Sequence, residues 1–148
     1  MIYELIWDTE FFGRKIGKLD GISSDEELKK ILAQATEEDF KYLTCRVNAS
    51  EIHIIQILEK VGFYLTDVGV VFERNVKPLE KPKIIAKDGT IEDIETLKKI
   101  SAGLFKSGRF YNDPFFTHEE SDRFYQAWAE NSVKSLTEKV LLIDEKGL

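Results

Sequence analysis

At 148 residues, 43% hydrophobic and 32% charged, the chain has the balance of an ordinary globular protein, long enough for one good core or two small ones. Its formal charge is −6, and no basic patch is strong enough to track phosphates, so nucleic-acid binding is not expected. No apolar run approaches the roughly 20 residues of a membrane helix, and the opening MIYELIWDTEFF is acidic where a signal peptide is basic. A soluble, cytoplasmic protein without a membrane partner is the expectation.

Residues 2–6 alternate as a strand does, and WDTEFFG after them ends in a turn at Gly13. Residues 14–19 predict a second short strand. Ser24 and Glu27 form an S-x-x-E capping box, which satisfies N–H groups left orphaned at a helix start. Leu28, Ile31, Leu32 and Ala35 follow at the period of one apolar helix face. Residues 40–47 read as a buried strand containing Cys45. This single cysteine excludes an internal disulfide, and its surroundings predict a small buried hydrophobe rather than a nucleophile. Asn48 or Ser50 is expected to cap a helix carrying Ile54, Ile57, Leu58 and Val61, with Gly62 in the left-handed position past its end. Residues 63–75, β-branched and aromatic, predict a strand or a bent pair of strands, with Gly69 as the bulge position.

Residues 77–83 (KPLEKPK) carry two prolines and little apolar content, and read as a linker. A short strand is expected at 83–87. Thr90 and Asp93 then open a helix with Ile94, Leu97, Ile100 and Leu104 facing inward. A loop follows from about 106 to 116. Thr117 and Glu120 make another capping box, opening a long helix to Ser132, and residues 139–144 (KVLLID) predict the last strand. The order β-β-α-β-α-β, linker, β-α-α-β implies an α/β (α+β) fold with a mixed, mostly antiparallel sheet flanked by helices. The domains are 1–76 and 84–148. Each half is small for a large core, so the two are expected to pack closely, a shared sheet being one arrangement.

His53 and His118 lie far apart and show no metal-ligand spacing with each other or with Cys45, so no metal site is expected. Glu119 and Glu120 sit in a first helical turn, where they complement the helix dipole. His118 beside them reads as a solvated residue. Phe124, Tyr125 and Trp128 recur at helical spacing, which predicts core before it predicts a sugar pocket.

Two segments carry a resemblance. Residues 42–74, YLTCRVNASEIHIIQILEKVGFYLTDVGVVFER, look like the late part of a GNAT domain: a strand, an Asn, a helix reading LEKVGF, then final strands. The second set is Phe105, Arg109, Phe110, Asp113, Pro114, Asp122, Arg123, Tyr125, Trp128, Asn131 and Ser132, with WDTEFFGRKIGKL at the start of the chain. Together these resemble two-domain GNAT enzymes of the TDP-fucosamine acetyltransferase type, which acetylate an amino-sugar nucleotide. The resemblance covers nearly the whole chain but only the front part of the family's length.

It implies a partial GNAT-like fold, with acetyl-CoA as the cofactor of a complete relative. Acetyl transfer in that family needs a Q/R-x-x-G-x-G/A loop whose backbone N–H groups cradle the pyrophosphate. None of the nine glycines here lies in such a loop. The family's general-acid tyrosine lies near its C-terminal end, so neither Tyr111 nor Tyr125 inherits that role, and no catalytic or cofactor-binding residue is assigned. The region between the first two helices of the second half borders the acceptor site in that fold. Here it holds Lys106, Arg109, Tyr111, Asn112 and Asp113. Arg109, Tyr111, Asp113 and Asn131 are therefore the candidate substrate-binding residues, an Arg pairing with a nucleotide phosphate and an Asp accepting from an amine or hydroxyl. The competing expectation is a loop in which Arg109 and Asp113 pair locally and Phe110, Phe115 and Phe116 pin it to the core; Asn131 equally could cap backbone.

The expectation is a truncated relative, not catalytically complete by itself. The alternatives are an interaction module that completes an acetyltransferase with another chain, and a fragment of an active acetyl-CoA-dependent enzyme. The strand at 139–144 would lack its next neighbour, which predicts a homodimer or a second chain covering that edge.

Overall fold

The computed structural model describes residues 1–75, 86–135 and 139–143. They form an α+β protein divided into two compact units, Met1–Leu65 and Thr66–Leu148. The linker expected at 77–83 lies outside the described residues. The described strands fall into two separate sheets rather than one.

The first unit contains β1 (Ile2–Glu4), α1 (Ile6–Phe12), β2 (Ile16–Leu19), α2 (Asp25–Glu37), β3 (Tyr42–Cys45) and α3 (Ile52–Lys60). Its sheet runs β1-β2-β3. β1 pairs antiparallel with β2, Ile2 opposite Leu19; β2 pairs parallel with β3, Ile16 opposite Tyr42. Parallel neighbours need a long crossover, and α2 supplies it. The core is Leu19, Leu28, Ile31, Ile57 and Leu58, with Leu43, Cys45, Val47 and Phe63 packed against it.

Three local expectations change here. The stretch after β1 is not a plain turn: it winds into α1, closed by Gly13 at φ 62°. Thr9 Oγ1 accepts from Ile16 N at 3.0 Å and Leu5 N donates to Ile16 O at 2.9 Å, so α1 is tied to β2, an attachment that sequence periodicity does not record. Ser24 caps α2 by accepting from Glu27 N. The Glu27 carboxylate, however, reaches Ser23 N and Oγ at 2.9 and 2.7 Å, and these hydrogen bonds hold it below the usual carboxylate range. α3 starts after Glu51 without a side-chain cap. Asn48 instead accepts from Ser50 N and Oγ in the turn before it.

Gly62 takes φ 94° past α3, as its position implies. Gly17 has a different task. A Cβ there would come within 2.9 Å of Leu43 Cδ2 and of the Phe40 ring, so β2 carries glycine where the crossover connection crowds it. β3 is half-buried rather than buried, and it stands last in the order of the described strands of this sheet. Residues 63–75 form no strand. A strand exists only with a ladder partner, and at Thr66 the carbonyl accepts instead from Asn112 Nδ2 at 3.1 Å.

The second unit contains β4 (Lys87–Asp88), a 3-10 turn (Ile91–Asp93), α4 (Ile94–Ser101), α5 (Arg109–Asn112), α6 (His118–Lys134) and β5 (Leu141–Leu142). Thr90 and Asp93 form the expected capping box, as do Thr117 and Glu120. β5 pairs antiparallel with β4, Asp88 opposite Leu141, so this strand is partnered on one side. The rest of the expected strand, from 144, is outside the described residues. α4 packs along α6. The helix face expected through Leu104 stops early: α4 ends at Ser101 and Gly103 turns the chain at φ 71°. Ile94 is buried, whereas Ile100 and Leu104 are 56% and 60% exposed. Among the described residues no helix is long and apolar enough to cross a membrane.

Candidate functional site

The segment between α4 and α6 is not simply a loop. It winds once more as α5 and is pinned by an aromatic nest. Phe110 is buried, edge-on to Phe116 at 4.9 Å and against Phe124 at 4.3 Å between ring centroids. Edge-to-face packing of this kind adds about 0.5–1.5 kcal/mol per pair beyond area burial. Ser121, fully buried on α6, donates its one hydroxyl proton to Phe110 O at 2.8 Å, with Thr117 O at 3.0 Å as the second acceptor within reach. α5 is thus fixed to the first turns of α6.

Two further groups shape this region. Gly108 precedes α5, and a Cβ there would meet the Tyr125 hydroxyl at 2.6 Å; glycine lets that phenol close onto the backbone. Burial pushes the Tyr125 phenol up from its ordinary value, against the lowering pull of the nearby Arg109 charge, so it stays neutral and a donor. Asp122 is the polar hub. Its Oδ1 accepts from Gly103 N at 2.7 Å and from the Tyr111 hydroxyl.

The four candidate residues have different surroundings. The Arg109 guanidinium lies 4.4 Å from the Phe110 ring centroid, a cation–π distance. Tyr111 is held by Asp122 and lies 5.1 Å from the His118 ring. Asp113 is 2% exposed and accepts from Phe115 N at 2.9 Å, closing the turn that leads into α6. Asn131 is exposed on α6, nine residues beyond Asp122, about 13 Å along the helix axis. The structure therefore groups Arg109, Tyr111 and Asp113 around α5 and sets Asn131 apart. Of the pinning phenylalanines, Phe110 and Phe116 are buried and Phe115 is at the surface.

Beside this cluster a cleft of about 440 Å³ opens between α4 and α6. Its apolar walls include Leu97, Ile100, Leu104, Phe105, Trp128 and Val140, and Ser101, Ser132 and Lys139 are its polar groups. Phe105 connects cleft and cluster: its ring stacks on Tyr125 at 4.4 Å and meets Trp128 edge-on at 5.9 Å. The three α6 aromatics thus divide. Phe124 is core, Tyr125 bridges, and Trp128 faces the cleft, 46% exposed. A largely apolar concavity with a few polar groups is the usual form of a small-molecule site. Periodicity missed it because Ile100 and Leu104 fit a core face equally well. The glycines at 103 and 108, which break that face, were the available signal.

Cys45 stays outside this chemistry. Burial pushes its thiol up, the direction opposite to that of an activated nucleophile. Iodoacetamide at mildly alkaline pH should alkylate it more slowly than a free cysteine, and more slowly than the same thiol in urea; equal rates would place it in solvent.

No family model matches the chain. The chain is similar to the dTDP-fucosamine acetyltransferase of Escherichia coli O6:H1 (strain CFT073), 25% identical over 142 residues. The likeness supports an acetyltransferase relationship. It covers 96% of this chain and 60% of that protein's length.

Proposed function

We propose that the chain is a GNAT-like relative of the sugar-nucleotide N-acetyltransferases whose second unit binds the acceptor, an amino-sugar nucleotide. The observation that carries this reading is the similarity to dTDP-fucosamine acetyltransferase across nearly the whole chain. The cleft suits it: its apolar walls accept the hydrophobic face of a deoxy sugar, with Trp128 and Phe105 as stacking surfaces. Arg109, whose guanidinium lies over the Phe110 ring and whose charge reaches Tyr125, is the group proposed to meet a diphosphate. Tyr111 and Asp113 act by positioning α5, and Asn131 is the exposed α6 amide nearest in sequence to the cleft residue Ser132. The chain does not complete the reaction alone in this reading, because its sequence has no Q/R-x-x-G-x-G/A loop for coenzyme A.

Calorimetry tests both halves. dTDP and a dTDP-amino sugar should bind saturably with one site per chain, and Arg109→Ala should weaken that binding about tenfold, as expected for a charge-assisted phosphate contact. Acetyl-CoA should give no saturable heat. Absence of dTDP binding at millimolar ligand removes the acceptor reading; stoichiometric acetyl-CoA binding at low micromolar concentration removes the incompleteness.

A second reading is an interaction module, with another chain seated on the edge at 139–143. Leu141 and Ile143, 59% and 56% exposed, favour it.

A further inference from the structure

The cleft between α4 and α6 is lined by residues of the second unit alone. α4 ends at Ser101 and the chain turns at Gly103, φ 71°, which brings Leu104 and Phe105 to the same cleft as Leu97 and Ile100. Trp128 on α6 also lines it. Ile100, Leu104 and Trp128 remain 56%, 60% and 46% exposed, so apolar area stands in water that a ligand can bury. Polar groups are few. The Ser101 hydroxyl donates its proton to Lys98 O at 3.0 Å. Among the described lining residues no side chain is a carboxylate, a carboxamide or an imidazole, and Lys139 carries the one charge. Such walls reward apolar area and give little to a body that needs several hydrogen bonds. The Lys139 ammonium lies 3.1 Å from Asp88 Oδ1, the two side chains being 70% and 65% exposed. An ion pair so open to solvent contributes little, so the ammonium exchanges Asp88 for another anion readily.

We propose that this cleft binds a single-tailed anionic amphiphile, an alkyl carboxylate, with its chain on Ile100, Leu104, Phe105 and Trp128 and its head group on Lys139. The cleft volume of about 440 Å³ equals about fifteen water volumes, room for a chain of about twelve carbons with its head group. The branched aliphatic and aromatic walls recognise the tail by area, and the lysine recognises the head by charge. The proposal does not rest on the acceptor reading, which concerns a different ligand of the same cleft.

The test uses the full chain and sodium dodecanoate below its micelle concentration. Calorimetry on the wild type should give one site per chain with Kd on the order of 100 μM, ordinary for a ligand of about fourteen heavy atoms. In a Trp7→Phe background, which leaves Trp128 as the one tryptophan, emission should shift to the blue over the same titration. Dodecyltrimethylammonium, the same tail with a cationic head, should bind roughly tenfold more weakly. Leu104→Asp, at a surface position, should abolish dodecanoate binding with an unchanged far-UV circular dichroism spectrum. Lys139→Ala should weaken binding about tenfold, whereas Asp88→Asn should strengthen it about twofold by releasing the ammonium; a purely structural ion pair would give a loss in both. Absence of saturable dodecanoate binding overturns the proposal, whatever dTDP does. So does binding that survives Leu104→Asp, or equal affinity for the two head groups. A wild-type dimer that excludes dodecanoate overturns it too, because a second copy then fills the cleft. Dodecanoate binding without dTDP binding upholds it and removes only the acceptor reading.

Discussion

Phe110→Ala is expected to lower the stability of the second unit by about 3–5 kcal/mol, the cost of removing a buried aromatic ring that leaves a cavity. Phe110 is 2% exposed and packs against Phe116, Phe124 and Tyr125, so its neighbours are mutually braced and the space cannot easily collapse. In a unit of this size such a loss lowers the melting temperature by about 15 °C or more and moves the urea midpoint by about 2 M. Each unit holds one tryptophan, Trp7 and Trp128. A Trp7→Phe background therefore lets fluorescence follow the second unit alone. Cleft binding should disappear with the fold, because the same nest fixes α5. A change below 1 kcal/mol would mean that the phenylalanines are a surface cluster and that the site has no rigid floor.

Asp122→Ala is expected to cost about 3 kcal/mol, the lower end for two hydrogen bonds to a charged group when the donors are only partly buried. One carboxylate oxygen serves both the Gly103 N–H and the Tyr111 hydroxyl. Removing it leaves two partly buried donors unpaired, and hydrogen bonds to a charged group contribute about 1.5–3 kcal/mol each. Asp122→Asn keeps an acceptor oxygen and should recover about half of the loss. The functional consequence separates this residue from mere packing. The turn at Gly103 and the position of Tyr111 set the two ends of the segment that carries Phe105 and Arg109, so dTDP affinity should fall in Asp122→Ala even under conditions where the chain remains folded. Equal affinity in the folded variant would show that Asp122 supports stability only.

How much of this is written in the sequence differs from element to element. Capping at Thr90 and Thr117 was legible because a cap is a contact between residues three apart. The amphipathic α2, with Leu28, Ile31 and Ala35 buried, was legible for the same local reason. α1 was not, because it rests on Thr9 meeting Ile16 after the chain has turned back. Residues 63–75 show the reverse case: their composition specifies a strand, but a strand is a pairing, and composition does not supply the partner.

The candidate site divides in the same way. The sequence by itself determined the acetyltransferase relationship and the grouping of Arg109, Tyr111 and Asp113 in one short segment; each is a matter of residue identity and local spacing. Only the tertiary structure decided that Asp113 is buried in a turn, that Asp122 is the hub of the polar contacts, and that Ile100, Leu104 and Trp128 face a cleft instead of a core. Those facts depend on what α4, α5 and α6 each pack against. Two helices with the same apolar period enclose a filled core or an open groove according to what is packed between them, and periodicity fixes which residues share a face but not what that face meets.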